Sequence, residues 1–415
     1  MALIFYNFFL VLYKIGIRIS AIKNQKASLW IIGRKDIFVH LKKWKNDTAP
    51  QKIIWVHCAS LGEFEQGRPV MDQLKILYPT YTILLTFFSP SGYQIRKNYT
   101  GVDAVFYLPL DGKKNAVQFI NIVQPSLVIW VKYEYWYYYL TQLKKQKIPL
   151  ILVSAIFRPR QPFFKWYGSL HKKMLHSFTK IFVQNQASLQ LLHKYSLGHN
   201  AAVAGDTRFD SVINTEKNKT ALPTTIINFC KNSTVIVAGS TWQDDELALV
   251  HFAKLHKHIK IIIAPHNVNE LRITEIEKIF IPSIRYSAMD TQKANTQVLI
   301  IDNIGMLCRL YQIADIAYIG GGFNASGIHN ILEAAVYAKP IIFGSVYYKF
   351  KEAVDLVAAG GAFSFDTALA LEELLITLIN NKNSAITAGH ICKNYVHQNA
   401  GATQKIMEYI KQSVV

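Results

Sequence analysis

The chain has 415 residues, 51% of them hydrophobic and 18% charged, with a formal net charge of +19. This composition excludes a disordered chain, and the length is enough for two domains with large cores. The positive excess points to an anionic membrane surface or a phosphorylated substrate; without zinc-ligand spacings or aromatic RNA-binding strand motifs, no nucleic-acid partner is expected.

In chain order, residues 2–13, ALIFYNFFLVLY, are almost wholly apolar, and IGIRISAI follows Lys14. An uninterrupted membrane span needs about 20 apolar residues. Here Asn7, Lys14 and Arg18 interrupt, and no positive charge precedes the run as a cleaved signal peptide requires. The segment reads first as a helix lying in the membrane interface, second as a short span, and third as a signal peptide or plain core helix. The basic flank of Lys14, Arg18, Lys23 and Lys26 would face the cytoplasm.

A buried strand at 52–56, KIIWV, runs into HCASLGEFEQGRP. This puts Glu63 at the carboxyl end of a strand, where open parallel sheets bind ligands. It could be a general base or only a helix-start carboxylate favoured by the dipole. Gly62 to Gly67 nearly matches a phosphate loop, but Arg68-Pro69 replaces the lysine and hydroxyl which that chemistry needs. Strand patterns recur at 82–88, 104–110, in the first part of 125–145, and at 148–157 and 180–186, alternating with helices, which predicts a doubly wound parallel sheet. Lys132 and Glu134 follow the fourth strand, ahead of an aromatic cluster at 133–139. Arg208 follows a Gly-Asp turn, and could equally form a surface ion pair. Polar, aperiodic residues 213–223 read as an interdomain linker.

A second alternating series starts at STVIVAGSTWQDDE (233–246), where Gly239-Ser240-Thr241 ends a strand and caps a helix. HIKIIIAPHN ends in a Pro265-His266 turn, and Ile304-Gly305-Met306 opens a helix. The strand before Gly320-Gly321-Gly322 feeds a helix expected from about His329 through Asn330, Glu333 and Tyr337. A glycine turn before a helix N-terminus can hold an anion on backbone amides, and the Glu333 carboxylate can accept bonds from sugar hydroxyls, which together suggest a nucleotide-sugar site. Gly320, Gly322 and Ala325 also fit a dinucleotide fingerprint, but the helix starts too late and no ribose-binding acid follows. The scattered Cys58, Cys230, Cys308 and Cys392 form no C-x-x-C and suit a reducing compartment.

Taken jointly, LWIIGR (29–34), WVHCASLGEFEQGRP (55–69), KYEYW (132–136), GDTRFD (205–210), AGSTWQDDE (238–246), IAPHN (263–267), DNIG (302–305) and GGGF…GIHNILEAAVYAKPIIFG resemble the 3-deoxy-D-manno-octulosonic acid (Kdo) transferases of Gram-negative bacteria. The resemblance covers nearly the whole chain. It implies an α/β GT-B fold of two Rossmann-like domains facing a central cleft. Residues 1–24 would form the membrane anchor, 25–212 the acceptor domain and 213–415 the domain binding the donor, CMP-Kdo. It further implies inverting, metal-independent transfer of Kdo to the lipid A precursor (lipid IVA) at the cytoplasmic face of the inner membrane, with no cofactor. By resemblance Glu63 is the base, Lys132 and Arg208 stabilise developing charge, and Pro265, His266, Ile304, Gly305, Met306, Asn330, Ile331, Leu332 and Glu333 contact CMP. Three departures stand out: Lys132 replaces a glutamate of many members, Ala334 replaces a proline, and the Pro-His turn lacks an arginine. The alternatives are a GT-B transferase using another nucleotide sugar and a non-catalytic lipid-binding scaffold.

Overall fold

A computed structural model of the chain describes residues 1–218, 220–289 and 296–413. It divides into two compact units, one holding Met1–Ser211 and the C-terminal segment from Ala400, the other holding Val212–Asn399.

In the first unit β1 (Ile53–Cys58), β2 (Thr82–Phe87), β3 (Ala104–Tyr107), β4 (Leu127–Val131), β5 (Leu150–Ala155), β6 (Lys180–Val183) and β7 (Ala201–Val203) form one parallel sheet. The spatial order is β3-β2-β1-β4-β5-β6-β7. Every residue of β1, β4 and β5 is buried. Helices cover both faces of such a sheet, so its strands read as continuous apolar runs rather than alternating ones. Trp55, Phe119, Trp130 and Tyr139 fill one face, while Val56, Phe64, Met71 and Val131 fill the other. The connections leave β1 and β4 in opposite directions, which opens a crevice at their carboxyl ends.

The second unit repeats the plan with β8 (Val235–Thr241), β9 (Lys260–Pro265), β10 (Ser283–Arg285), β11 (Val298–Ile300), β12 (Ile316–Ile319), β13 (Ile341–Gly344) and β14 (Ala362–Phe365). Their parallel order is β10-β11-β9-β8-β12-β13-β14, with the reversal between β8 and β12. β10 lies in a stretch without a strand signal, three residues long beside Pro282.

Two boundaries differ from the sequence reading. The helix Thr207–Lys217 occupies the first part of the expected linker, because Phe209, Val212 and Ile213 give it a buried apolar side. The final helix, Ala402–Ser413, belongs with the first unit and not with a domain spanning 213–415. Its stripe of Ala402, Ile406, Met407 and Ile410 joins the core cluster around Val56 and Phe64. Asp210 fixes its start, accepting from Gly401 N (2.6 Å), Thr403 N (2.7 Å) and Thr403 Oγ1 (2.7 Å). An amphipathic period states that a helix will be covered on one side, not by which surface.

The N-terminal helix Ala2–Ser20 has a mean hydropathy of 1.6 over its apolar window, only 6% of which is buried. It docks by Tyr6, Leu10, Tyr13 and Ile17, which are spaced to share one face. Tyr6 donates to Asp111 Oδ2 (2.6 Å), and Tyr138 donates to Asn7 Oδ1 (2.7 Å). Ile4, Phe5, Phe8, Leu12, Ile15 and Ile19 point outward and stay exposed. Asp111 also accepts from Tyr138 N (3.0 Å) and Tyr139 N (3.2 Å). Burial lifts its pKa to about 6 despite those bonds. Asp111→Ala is expected to leave the Tyr6 O–H proton and the Tyr138 and Tyr139 amides without their acceptor, at a cost of about 2–4 kcal/mol. A lower melting temperature and faster proteolysis at residues 21–24 would register it, and an unchanged melt would show that the latch is dispensable.

Candidate active site

The crevice of the first sheet is built by the segments leaving β1 and β4. After β1 the chain turns at Ala59-Ser60 and enters the helix Leu61–Leu77, with Glu63 in its first turn. Gly67 lets this helix lie close on the sheet: a Cβ there would stand 3.1 Å from Cys58 Sγ and 3.2 Å from Val131 Cγ2. Glu63 is thereby buried at the strand ends, 7% exposed, and its Oε2 accepts the Ala59 N–H. Burial first, and then the charge of Glu134, lift its pKa to about 7. The N–H groups of Ala59 and Tyr133 and the charge of Lys132 oppose the rise without cancelling it. A carboxylate of that proton affinity is suited to general-base work at neutral pH.

Lys132 begins the segment after β4 in a left-handed conformation, φ 63°, with its N–H donating to Val153 O (3.1 Å). Its ammonium lies 4.8 Å from the Tyr133 ring centroid and lowers the pKa of both Glu63 and Asp206. Arg208 makes a two-pronged pair with Asp206, Nε at 2.9 Å and Nη2 at 2.8 Å from Oδ2. Burial pushes Asp206 up, but the Arg208 charge and hydrogen bonds hold it below the usual range. Gln66, from the Glu63 helix, donates to the other oxygen of Asp206 (3.1 Å). Arg158 and Arg208 both face the Tyr133 phenol. Glu63, Lys132 and Arg208, far apart in sequence, thus share one electrostatic neighbourhood: Lys132 acts on Glu63 and Asp206, and Glu63 and Arg208 both act on Tyr133.

The crevice of the second sheet carries the other expected residues. Pro265 ends β9, and His266 stacks on Trp242 (4.6 Å, 20°) and on His329 (4.6 Å, 27°). Trp242 Nε1 donates to His329 Nε2 (3.1 Å), and burial, then His266, lower the His329 pKa to about 4. His329 is therefore neutral at physiological pH and accepts at Nε2. The expected cap at Gly239-Ser240-Thr241 moves one residue on: Trp242 is the N-cap, and Asp245 accepts its N–H (2.9 Å) together with that of Gly321 (2.9 Å).

The helix expected from His329 to Tyr337 is a single turn, Leu332–Ala335. Residues 321–331 are instead an irregular segment held by His329 N to Gly320 O (3.1 Å) and Val346 N to Gly322 O (2.8 Å). The three glycines thus serve a close backbone crossing: a Cβ on Gly322 would stand 2.4 Å from Gly344 N. With no helix directly after Gly322, the dinucleotide fingerprint fails structurally as well. Asn330 Nδ2 donates to Glu333 Oε1 (3.1 Å) and Asn330 Oδ1 accepts from Leu332 N (3.3 Å). The side chains of Met306, Ile331 and Leu332 are buried and their carbonyls accept from the following turn, while Ile304 is exposed and Gly305 needs φ 97°. Tyr311, just beyond Met306, lies in the field of Glu333, so the 304–306 and 330–333 segments converge.

His57, Asp206, Trp242 and His329 were not singled out as site residues from sequence. Each lies inside one of the quoted motifs, but stacking and pairing are three-dimensional facts that spacing does not carry. A cavity of about 480 Å³ lined by Asp315, Lys339 and Pro340 lies at the amino-terminal ends of β8, β12 and β13, away from this chemistry.

Comparison with known proteins now bears on the site. Residues 34–211 match the family model described as 3-deoxy-D-manno-octulosonic-acid transferase (kdotransferase). The chain is 30% identical over 377 residues to the 3-deoxy-D-manno-octulosonic acid transferase of Haemophilus influenzae, covering 87% of each. The chain belongs to the Kdo transferase family. It is also 29% identical to the Aquifex aeolicus Kdo transferase, over 78% of this chain and 86% of that one. A glycosyltransferase from Rickettsia africae shares the fold at a TM-score of 0.55 and 15% identity, covering 87% of this chain and 98% of its own. The UDP-GlcNAc 2-epimerase of Neisseria meningitidis does so at 0.61 and 16%, over 88% and 100%. The architecture is therefore GT-B, and the protein is a glycosyltransferase that transfers Kdo.

In this Kdo transferase Glu63 binds its proton more tightly folded than unfolded, since its pKa rises from 4.5 to about 7. Its contribution to stability is therefore most favourable below pH 4.5 and is lost as pH rises toward 7. The loss is on the order of 3 kcal/mol. Glu63→Gln is expected to flatten that slope in denaturant unfolding measured between pH 4 and 8; an identical slope would refute the shift.

Proposed function

We propose that the protein transfers Kdo from CMP-Kdo to the lipid A precursor, lipid IVA, in lipopolysaccharide biosynthesis, by a single inverting displacement that needs no metal ion. The observation that carries this reading is the buried Glu63, with its pKa near 7, at the carboxyl end of β1 in a Kdo transferase. Glu63 takes the proton of the acceptor's primary 6′-hydroxyl as the new glycosidic bond forms at the anomeric carbon and the bond to CMP breaks. Lys132 and Arg208 supply positive charge to this neighbourhood, the role a divalent cation would otherwise fill for a departing phosphate. His266, Gly305, Asn330 and Glu333 are offered as the CMP contacts, with the backbones of Pro265, Ile304, Met306, Ile331 and Leu332.

The outward apolar face of Ala2–Ser20, with Lys14 and Arg18 beside it, supports attachment at the cytoplasmic face of the inner membrane. Its docked inner face favours a helix lying in the interface over a span surrounded by lipid. The net charge of +19 suits a phosphorylated glycolipid on an anionic leaflet. A different nucleotide sugar is the second reading, since solved neighbours of this fold include the UDP-GlcNAc 2-epimerase bound to UDP-GlcNAc.

The test follows CMP release from CMP-Kdo with lipid IVA in detergent, with EDTA present. Wild-type transfer is expected to persist in EDTA, and Glu63→Ala to lose at least about 100-fold, the scale of a missing general base. Full activity in Glu63→Ala would remove the base assignment. Release of UDP from a UDP-sugar in place of CMP would move the donor assignment to the second reading.

A further inference from the structure

One carboxylate beside Glu63 is left unused by that mechanism. Glu134 lies two residues past Lys132, and it is held from three directions. Trp130 Nε1 donates to its carbonyl oxygen (2.6 Å), while Trp136 Nε1 (2.9 Å) and His57 Nε2 (3.1 Å) both meet its Oε2. His57 is fully buried on β1, in register with Trp130 on β4, and the two rings lie 4.3 Å apart. The tautomer of His57 follows from its other side. Thr86 Oγ1 accepts from Trp55 Nε1 (2.8 Å) and lies 2.9 Å from His57 Nδ1 but 3.5 Å from Val56 O. The hydroxyl proton goes to the shorter bond, so Nδ1 accepts and Nε2–H donates to Glu134. A relay Trp55–Thr86–His57–Glu134, three of its members buried in the sheet, thus ends on a carboxylate beside the proposed base.

A buried relay that joins two strands to fix one carboxylate has a structural cost that packing alone does not require. A negative charge beside a carboxylate makes that carboxylate hold its proton more strongly. We propose that Glu134 and His57 are positioning residues of the transfer reaction: His57 and Trp136 pin the Glu134 carboxylate next in sequence to Tyr133, whose N–H bonds Glu63, so that a fixed negative charge stands by the base as it takes a sugar hydroxyl's proton. The inference rests on Glu63 as the base. The Coulomb effect of Glu134 is second only to burial among the influences on Glu63. Other groups face the pair: Lys132, Tyr133 and Tyr135 from the same segment, and Cys58 from β1. On the side of the N-terminal helices, Tyr13 and Arg34 also feel the Glu134 charge. Among these Lys132 opposes the rise, so Glu134 is the charge that lifts Glu63 against it.

The experiment is the pH profile of CMP-Kdo turnover with lipid IVA for wild type, Glu134→Gln and Glu63→Gln. Removing the negative charge lowers the proton affinity of Glu63. The acid limb of kcat for Glu134→Gln is therefore expected to move to lower pH by roughly half a unit to one unit. The plateau should fall because the base is weaker, while KM for both substrates stays within about twofold. A plateau that falls without any movement of the acid limb would reduce Glu134 to a structural role and overturn the proposal. Activity retained in Glu63→Gln would instead remove the base itself, a different failure. Should Glu134→Gln lose its cooperative melt, isotope-edited infrared titration of wild type reads the Glu63 carboxyl directly, its band assigned by its absence in Glu63→Gln. Titration of wild type at the ordinary carboxylate range, or an unmoved titration in Trp136→Phe, which loosens Glu134, would overturn the proposal, and a titration moved to lower pH in Trp136→Phe sustains it.

Discussion

Burial of one carboxylate at the end of a parallel strand is the constraint on which the rest of the first unit depends. A charged glutamate shut away from water is tolerated only if its surroundings offer compensation, and β1 and β4 meet at the one edge where a doubly wound sheet can provide it. The Ala59 amide, the Lys132 charge and the Tyr133 amide compensate Glu63 in part, and burial and Glu134 leave it poised near neutrality. Gly67 brings the carrying helix down onto the sheet, and Gln66 on the same helix reaches Asp206. Asp206 in turn orients Arg208, so one helix sets both the proton acceptor and one of its cations.

The second unit solves its problem differently. Its crevice is walled by backbone crossings and a stack of rings rather than by buried charge. Gly322 and Gly344 touch, Asp245 gathers the Trp242 and Gly321 amides, and His266 stacks across both Trp242 and His329. The neutral state of His329 lets it accept from the Trp242 indole, which holds the two rings side by side beneath His266. The first unit presents groups suited to moving a proton, and the second presents flat surfaces and turned backbone suited to holding a ligand.

The N-terminal helix, with its outer apolar face exposed, is tied to this chemistry through shared neighbours. Tyr6 bonds Asp111, which also takes the Tyr138 and Tyr139 amides, just past the segment that carries Lys132 and Glu134. Tyr13 packs on Trp30 and Phe88, and Phe88 packs on Trp136, whose indole donates to Glu134. The helix is therefore packed into the wall behind the site as well as bearing an exposed apolar face.

Much was legible in the residue pattern alone. Continuous apolar runs between glycine and serine turns are what a two-sided parallel sheet demands, so both Rossmann-like units and the placing of Glu63, Lys132 and Pro265 at strand ends could be read directly. Expected elements were displaced where a local signal competed with distant contacts. The Asn330–Tyr337 pattern is helical by propensity, yet the Gly322–Gly344 crossing leaves room for only one turn. The last helix shows its apolar stripe in sequence but not the sheet it covers. By itself the sequence determined which residues are buried, where strands end and which ends carry chemistry, since these follow from period and composition. Only the tertiary structure decided which charges face each other, including the relay from Trp55 to Glu134 and the pairing of Asp206 with Arg208. Proton affinity depends on distances between residues remote in the chain, and no spacing along the chain encodes them.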